Sequence, residues 1–482
     1  MRYERIGRVF ESPRELHRKD ACGGRGFGPY AGAEAGGRTT PILQQGGERP
    51  RRLAKIQQGV GEPGRPRLPW KQQVGSSNLP TLTKFKQRES APMAGFKIFG
   101  DHDENTKKQM ARCMSVGSVA GGVLCADGHL GYAQPVGGVI AYEEHVSVSG
   151  VGFDIGCGNM AVRLDVKRDA IADKIGPILT DIASNVSFGI GRCNAEKVEH
   201  ELFDSPLWHE VPEIGKLKGM ARDQLGTVGS GNHYVDLFED EDGWIWIGVH
   251  FGSRGLGHKT ATEFIRLGGG KDGIDVDPTL LRQDSELGQK YIAGMTLAGQ
   301  YAYAGREWVV ERVRKIVGGA VTDSVHNHHN YAWRETHGGR ELWVVRKGAT
   351  PAFPGQRGFV GGSMGDDAVI LSGIESAKSA DSLYSTIHGA GRVMSRTEAR
   401  GKRNRKTGEV ITAGRVSHED MQAWLRDRGV TLLGGGLDEA PQAYRRLPEV
   451  LACHEGTVKI EHTLRPFAVV MAGDDVFDPF KD

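Results

Sequence analysis

Several histidines of this chain sit at the ends of apolar, strand-like runs and beside small residues. They are His233 in GSGNHYVD, His250 and His258 in IGVHFGSRGLGH, His326, His328 and His329 in HNHHNY, and His388 in STIHGAGR. One histidine on an apolar strand is ordinarily a hydrogen-bonded core residue. Repeated glycine-flanked or strand-terminal clusters ask for more, because glycine lets backbone approach a ligand and strand ends are where sites are built. None has HExxH or zinc-finger spacing, so a metal site would be assembled from distant segments. The turn VGFDIGCG adds Asp154 and Cys157, three residues apart. A carboxylate and a thiolate in one turn can chelate a divalent ion, and a thiolate can bridge two ions. With His233, His250 and His329 they make a mixed oxygen, sulfur and nitrogen set suited to Mn, Zn or Fe, and residue type alone does not choose among these. Taken singly, Asp154 would be a turn-forming residue and Cys157 a small core filler.

The loops GTVGSGNH, FGSRGLGH, GGSMGDD and HGAGR are dense in glycine. Successive backbone N–H groups in such turns form nests for anions, phosphate above all. Arg254 and Arg392, within two of these loops, could add planar bidentate contacts to phosphate or RNA. No loop matches the GxxxxGK[ST] phosphate-binding pattern or a dinucleotide fingerprint following a strand.

The elements that must position these residues alternate between two periods. Segment 105–115 is predicted to be a short helix. From residue 119 to 166, apolar strand-like runs alternate with glycine turns. ADKIGPILTDIASNVSF has helical apolar spacing. WIWIGVHF reads as a buried strand running into a glycine loop, as do ELWVVRKGAT and AVILSGI. Residues 287–317 carry the longest helical pattern, and HEDMQAWLRDRG is predicted to be a helix stopped by Gly429. There is no internal repeat and no regular βαβ spacing. The prediction from these patterns is a single α+β body over 93–473, with 474–482 a short extension.

Composition narrows the class. Of 482 residues, 38% are apolar and 25% charged, enough for a folded core. No apolar run approaches the ~20 residues of a membrane span, and MRYERIGRVF is not a secretory signal. Residues 1–92 hold 18 Lys+Arg against 8 Asp+Glu, whereas the remainder holds 44 against 52. A net charge of +2 therefore hides a basic tail on an acidic body, and nucleic-acid binding by the body requires a local basic patch. The tail is Gly- and Pro-rich without periodicity and is expected to be disordered; an RNA-tethering arm is its functional alternative. Within it VGSSNLPT resembles the translated T-arm of a tRNA gene, so Met93 is expected to be the natural start. The six cysteines include no CxxC pair, which suits a reducing, cytoplasmic setting.

At these residues a resemblance emerges. DGHLGYAQPVGGVIAY, VGFDIGCGNMAVR, LGTVGSGNHYVDL, VHFGSRGLGH, HHNYAWRE, VVRKGAT, GGSMG, HGAGRVMSR and LDEAPQAYR resemble, in order, the motifs of the RtcB family of RNA-splicing ligases. The resemblance spans about residues 100 to 473. It implies a GTP-dependent ligase with two Mn²⁺ ions, acting in tRNA splicing or RNA repair, with an activating protein in some members. His388 would be the nucleophile that takes GMP from GTP. The RNA 3′-phosphate, arising from a 2′,3′-cyclic phosphate by hydrolysis, would accept the GMP, and a 5′-hydroxyl would then displace it. One metal would take Asp154, Cys157 and His233, the other Cys157, His250 and His329. Nucleotide contacts would come from Asn232, His233, Tyr234, Val235, Asp236, His329, Asn330, Gly361, Gly362, Ser363, Met364, His388, Gly389, Ala390 and Gly391. Three positions depart from the family pattern around the base: Asp236 where Glu is usual, Ala368 where Ser is usual, and Met471 in place of a lysine. The same dimetal set without guanylylation would make a phosphohydrolase or cyclic phosphodiesterase acting on RNA ends, and without catalysis an RNA-end-binding protein.

Overall fold

The computed structural model describes residues 95–404, 407 and 409–474. The expectations for residues 1–92 and for 475–482 lie outside the described residues.

The body is α+β. Its main sheet orders its strands as Arg357–Val360, Ala368–Gly373, Val458–Gly473, Tyr234–Glu239, Trp244–Phe251, Gly158–Lys167 and Val321–His328, with Thr431–Gly435 added in parallel beside Val458–Gly473. The two end strands are bridged by side chains. The Phe359 amide donates to Asn327 Oδ1 at 2.9 Å, and the Arg357 guanidinium grips both Asp323 oxygens at 2.7 Å. The twisted sheet thus nearly closes on itself, which leaves little unpaired edge. A second sheet orders Lys97–Ile98, Val119–His129, Val136–Tyr142, Arg340–Lys347 and Asn330–His337.

The longest helix is Glu286–Val317, capped by Ser285, whose side chain accepts from the Gly288 amide. Its apolar positions three and four apart drive it onto the sheet. Val309, Val310, Val313 and Val317 bury against Ile178, Leu179 and Ile182 of the helix Ile175–Asn185, and against Val235, Leu237, Ile247 and Val249 of the strands. Each such side chain contributes about 1.5–3 kcal/mol when fully buried. The helix Glu104–Met114 starts at Asp103, whose carboxylate accepts the Asn105 and Thr106 amides at 3.0 Å. The helix His418–Asp427 lies where HEDMQAWLRDRG predicts one, with Gly429 two residues past its end at φ +66. Among the described residues no helix is long and apolar enough to cross a membrane. Of the described cysteines, Cys113, Cys125 and Cys157 are buried, Cys193 is exposed, and all are free thiols.

Candidate active site

Antiparallel pairing puts the start of one strand beside the end of its neighbour. Here that rule gathers the candidate ligands. Tyr234 pairs with His250, and Gly158 pairs with both Phe251 and His328. So His233 and Cys157, each just before a strand, meet His250 and His329 at the ends of the strands between and beside them. Cys157 Sγ lies 3.3 Å from His250 Nε2 and 3.8 Å from His233 Nε2, and His233 Nε2 lies 3.1 Å from Asp154 Oδ2. Two groups of donors result, Asp154–Cys157–His233 and Cys157–His250–His329, each with its ligand atoms within 4.8 Å of one another and with Cys157 common to both. Gly252 makes room for the first: a Cβ there would sit 2.3 Å from Asp154 Oδ1.

The electrostatics suit cations. Burial alone would raise the Asp154 carboxyl, but the hydrogen bond and charge of His233, with the Arg254 guanidinium behind them, outweigh it and hold it at about 2. His250 and His329 are held well below the ordinary imidazole range by burial, reinforced by neighbouring histidines, so both keep neutral nitrogens with lone pairs. The His233 Nδ1 faces the Val228 carbonyl at 3.0 Å. A proton donated there leaves the Nε2 lone pair turned toward Asp154 and Cys157. His329 Nδ1 is buried without a hydrogen-bond partner among the described residues. Burial and the adjacent Asp154 push the Cys157 thiol up, a cost that a coordinated cation reverses by stabilising the thiolate. The residues present therefore fit divalent metal: an orphaned nitrogen, neutral imidazoles, a carboxylate and a thiol converge.

The three histidines of HNHHNY separate here. Arg306, fully buried on the long helix, donates from Nε to His326 Nε2 at 2.9 Å, and its terminal nitrogen lies 2.9 Å from His328 Nδ1. Its other nitrogen donates to the carbonyls of Gly156 at 2.9 Å and Phe251 at 2.6 Å. His326 and His328 thus serve Arg306, and His329 faces the donor groups. His258 is also apart from them, its ring stacked on Phe153 at 5.1 Å.

His388 follows the short strand Ser385–Ile387, and its ring stands 4.9 Å from that of His329. Its Nδ1 lies 2.6 Å from Asp127 Oδ2, which also accepts the amides of His388 at 2.9 Å and Gly389 at 3.3 Å. Burial would raise Asp127, but the charge and hydrogen bonds of His388 hold it below the usual carboxylate range. Gly391 is required beside it: at φ +76, a Cβ would meet the Asp127 carbonyl at 2.4 Å.

A cleft of about 960 Å³ joins these parts. Asn232, His233, Tyr234, Asp236, Asn330, the loops Gly361–Met364 and His388–Gly391, Arg254 and Arg392 line it, as do the metal donors. Val235 does not. Successive strand side chains point to opposite faces, so Val235 is buried with Leu237 and Val249 in the core while Tyr234 and Asp236 face the cleft. A nucleotide contact from Val235 would therefore be made by its backbone. Ala368 is also outside the cleft, fully buried among Phe359, Trp246 and Leu464. Of the three departures only Asp236 and Met471 line it. Asp236 Oδ1 is buried without a partner among the described residues, and burial pushes its carboxyl well up.

The two arginines differ. Arg254 opens the helix Arg254–Leu267 at φ +55, a conformation costing about 1–3 kcal/mol for a side-chain-bearing residue, and lies 3.4 Å from His233 Nδ1. Arg392 is held by Glu439 at 3.2 Å, the Tyr444 hydroxyl at 2.8 Å and the Asp438 carbonyl at 2.6 Å. Sequence reading missed Asp127, Arg306 and Lys347. The last is a buried cation lining the cleft, its Nζ donating to the Tyr132 carbonyl, and burial lowers it to about 8. DGH and RKG, both glycine-flanked, were the available signals for Asp127 and Lys347.

The model of a family described as tRNA-splicing ligase RtcB matches residues 109–214 and 209–472. The chain is 31% identical over 379 residues to the RNA-splicing ligase RtcB of Escherichia coli (strain K12), which covers 71% of this chain and 88% of that protein. It is 32% identical over 432 residues to the tRNA-splicing ligase RtcB of Nanoarchaeum equitans, covering 72% and 87% of the two chains. With the tRNA-splicing ligase RtcB of Thermococcus kodakarensis it shares 30% identity over 476 residues, covering 80% and 96%.

Proposed function

The chain belongs to the RtcB family of RNA-splicing ligases, and from that premise we propose that it joins RNA 3′-phosphate or 2′,3′-cyclic phosphate ends to 5′-hydroxyl ends, with GTP as co-substrate and a covalent GMP on His388. The observation that carries this reading is the juxtaposition, in one cleft, of a carboxylate-oriented His388 with two metal-donor groups sharing Cys157.

Asp127 holds the proton on Nδ1 of His388, so Nε2 presents its lone pair to the cleft. Nε2 attacks the α-phosphorus of GTP; a P–N bond forms, the bond to the bridging oxygen breaks, and pyrophosphate leaves. An oxygen of the RNA 3′-phosphate then attacks the same phosphorus, the P–N bond breaks, and the neutral imidazole returns. The 5′-hydroxyl attacks the activated terminal phosphate and GMP departs. A cyclic phosphate is first opened by water. Mn²⁺ ions held by Asp154, Cys157 and His233, and by Cys157, His250 and His329, would supply positive charge against the phosphate oxygens. The glycine turns at 361–364 and 388–391 and the cations Arg254 and Lys347 orient the same oxygens. Asp236 offers a buried carboxyl whose Oδ1 is unpartnered among the described residues, and donation from the ring N–H and exocyclic amine of guanine would stabilise its ionised form against burial.

The test is incubation with α-labelled GTP and Mn²⁺, followed by a 3′-phosphate RNA and a 5′-hydroxyl RNA. Label that becomes covalent on the protein, is lost in a His388→Ala variant, and is discharged by RNA supports the ligase. Hydrolysis of a cyclic phosphate without any protein label overturns it in favour of a phosphodiesterase.

A further inference from the structure

His258 has no part in the chemistry above, yet it lines the cleft. It stands on the helix Arg254–Leu267, where Arg254, His258, Lys259 and Thr262 all line that cleft. Spacings of four, five and eight residues put these side chains on one helical face. The rest of the helix buries Leu256, Ala261, Phe264 and Ile265 in the core, so packing fixes which face the cleft receives.

The two walls of the cleft rest on different cores. Tyr234, Met364 and Met471, beside the expected nucleotide loops, pack in one cluster. Leu217 and Leu256 belong to another, and Phe153 and Met220 pack against it. A row of rings leads from one side to the other. From His388 the ring centroids step 4.9 Å to His329, 5.0 Å to His250 and 5.6 Å to His233. Arg254 follows, 3.4 Å from His233 Nδ1. The helix face therefore begins where the row leaves the candidate metal donors.

This wall has the two features that single-stranded RNA needs. One is aromatic. The rings of Phe153 and His258 stack at 5.1 Å and 27°, both half-buried and both lining the cleft. Bases of any sequence stack on such surfaces. The other is cationic. Lys259 is exposed and forms no ion pair among the described residues. The acidic residue of the same wall, Glu263, is already held by Lys216 at 3.1 Å and Arg266 at 3.0 Å. From Arg254 to Lys259 the helix rises about 7.5 Å, a distance that one nucleotide of extended strand spans.

We propose that Phe153, His258 and Lys259 form the subsite for the last nucleotide of the RNA that ends in the 3′-phosphate. Its terminal phosphate lies at Arg254, its base stacks on the Phe153–His258 pair, and the next phosphate of the strand reaches Lys259. The ligase reading supplies the identity of the strand, and the subsite rests on it. Arg254 selects between the two ends, because a 5′-hydroxyl end has no terminal phosphate for a guanidinium to hold.

The experiment measures, with Mn²⁺ present, binding of an oligoribonucleotide ending in a 3′-phosphate and of the same strand with an abasic terminal residue. The parent is compared with Phe153→Leu, which keeps apolar bulk against the core, and with Lys259→Ala, which alters an exposed side chain. Losing the terminal base is expected to weaken binding to the parent roughly fivefold or more, and to leave binding to Phe153→Leu little changed. Lys259→Ala is expected to flatten the slope of log affinity on log salt by about 0.7, and so to weaken binding roughly fivefold at about 0.1 M KCl. An abasic loss equal in the parent and Phe153→Leu, an unchanged salt slope in Lys259→Ala, or a parent that does not bind the strand overturns the subsite. So does the same pattern found only on an RNA with a 5′-hydroxyl and an unphosphorylated 3′ end, which gives the wall to the other strand. Labelling of His388 by GTP is read on the parent. Its absence overturns the ligase reading alone, since RNA binding is scored without it.

Discussion

Asp127 Oδ2 and His388 Nδ1 meet at 2.6 Å across 261 residues of chain, and the same oxygen also accepts the backbone amides of His388 and Gly389. One buried carboxylate thereby fixes the ring, its tautomer and the loop that carries it. Asp127→Asn keeps the shape but loses the charge and makes the opposite tautomer available. We expect His388 labelling by GTP to slow by up to about ten-thousandfold, the loss produced when the orienting carboxylate of a catalytic triad is amidated. Metal content, measured on the same protein, should be unaltered, because Asp127 belongs to neither donor group.

Cys157 is common to both donor groups, whereas His250 belongs to one. Cys157→Ala is expected to lower occupancy at both positions, and His250→Ala chiefly at one. Metal counting on purified variants distinguishes them. Full, equal occupancy in Cys157→Ala removes the bridging role.

Lys347 yields opposite pH trends for activity and stability. Burial lowers its ammonium to about 8, so the charged form that faces phosphate is lost as pH rises through that value, and the labelling rate should fall there. An unfolded lysine titrates near about 10.4. Between these values the unfolded chain binds more protons than the folded one, so the lysine's contribution makes the fold more stable as pH rises. Lys347→Arg should move the falling limb of activity to higher pH, and Lys347→Met should abolish both trends. A rate profile unaffected by either change refutes the assignment.

On the proposed reading, nucleotide choice turns on Asp236. Its unpartnered carboxylate lines the cleft beside Met471, which offers no charged donor. A hydrogen bond to a charged group is worth about 1.5–3 kcal/mol, so Asp236→Asn should cut labelling by GTP roughly tenfold to a hundredfold and affect ATP far less. Met471→Lys should raise the preference for GTP. Ala368→Ser is expected to leave that preference unchanged, since Ala368 packs among Phe359, Trp246 and Leu464. Equal effects on the two nucleotides in Asp236→Asn would place the base elsewhere.

Much of this arrangement is legible in the chain because its signals are local. Residues 287–317 carry an uninterrupted helical pattern, and the helix runs Glu286–Val317. Asp154, Cys157, His233, His250 and His329 stand out because each sits in or next to a glycine turn or a strand terminus, and antiparallel pairing then does the gathering. Asp127 is a different case. It lies within the strand Val119–His129, and nothing near it in sequence reveals that its partner is His388. Arg306 was hidden for a related reason: on a helix of alternating charge it reads as one more surface cation, and only its depth shows otherwise. Within 232–236 the two-residue period of a strand already turns the Val235 side chain away from those of Tyr234 and Asp236.

Arg306 has a consequence for the proposed metal centre. Its guanidinium ties the carbonyl of Gly156, beside the candidate ligand Cys157, to that of Phe251, beside the candidate ligand His250. The ligand-bearing backbone is therefore ordered by a cation the protein owns permanently. Small metallodomains that lack such a brace unfold when stripped by a chelator. On the proposed dimetal reading, loss and return of metal would be a local exchange within a standing scaffold, and the metal-free chain is expected to stay folded and to take metal up again.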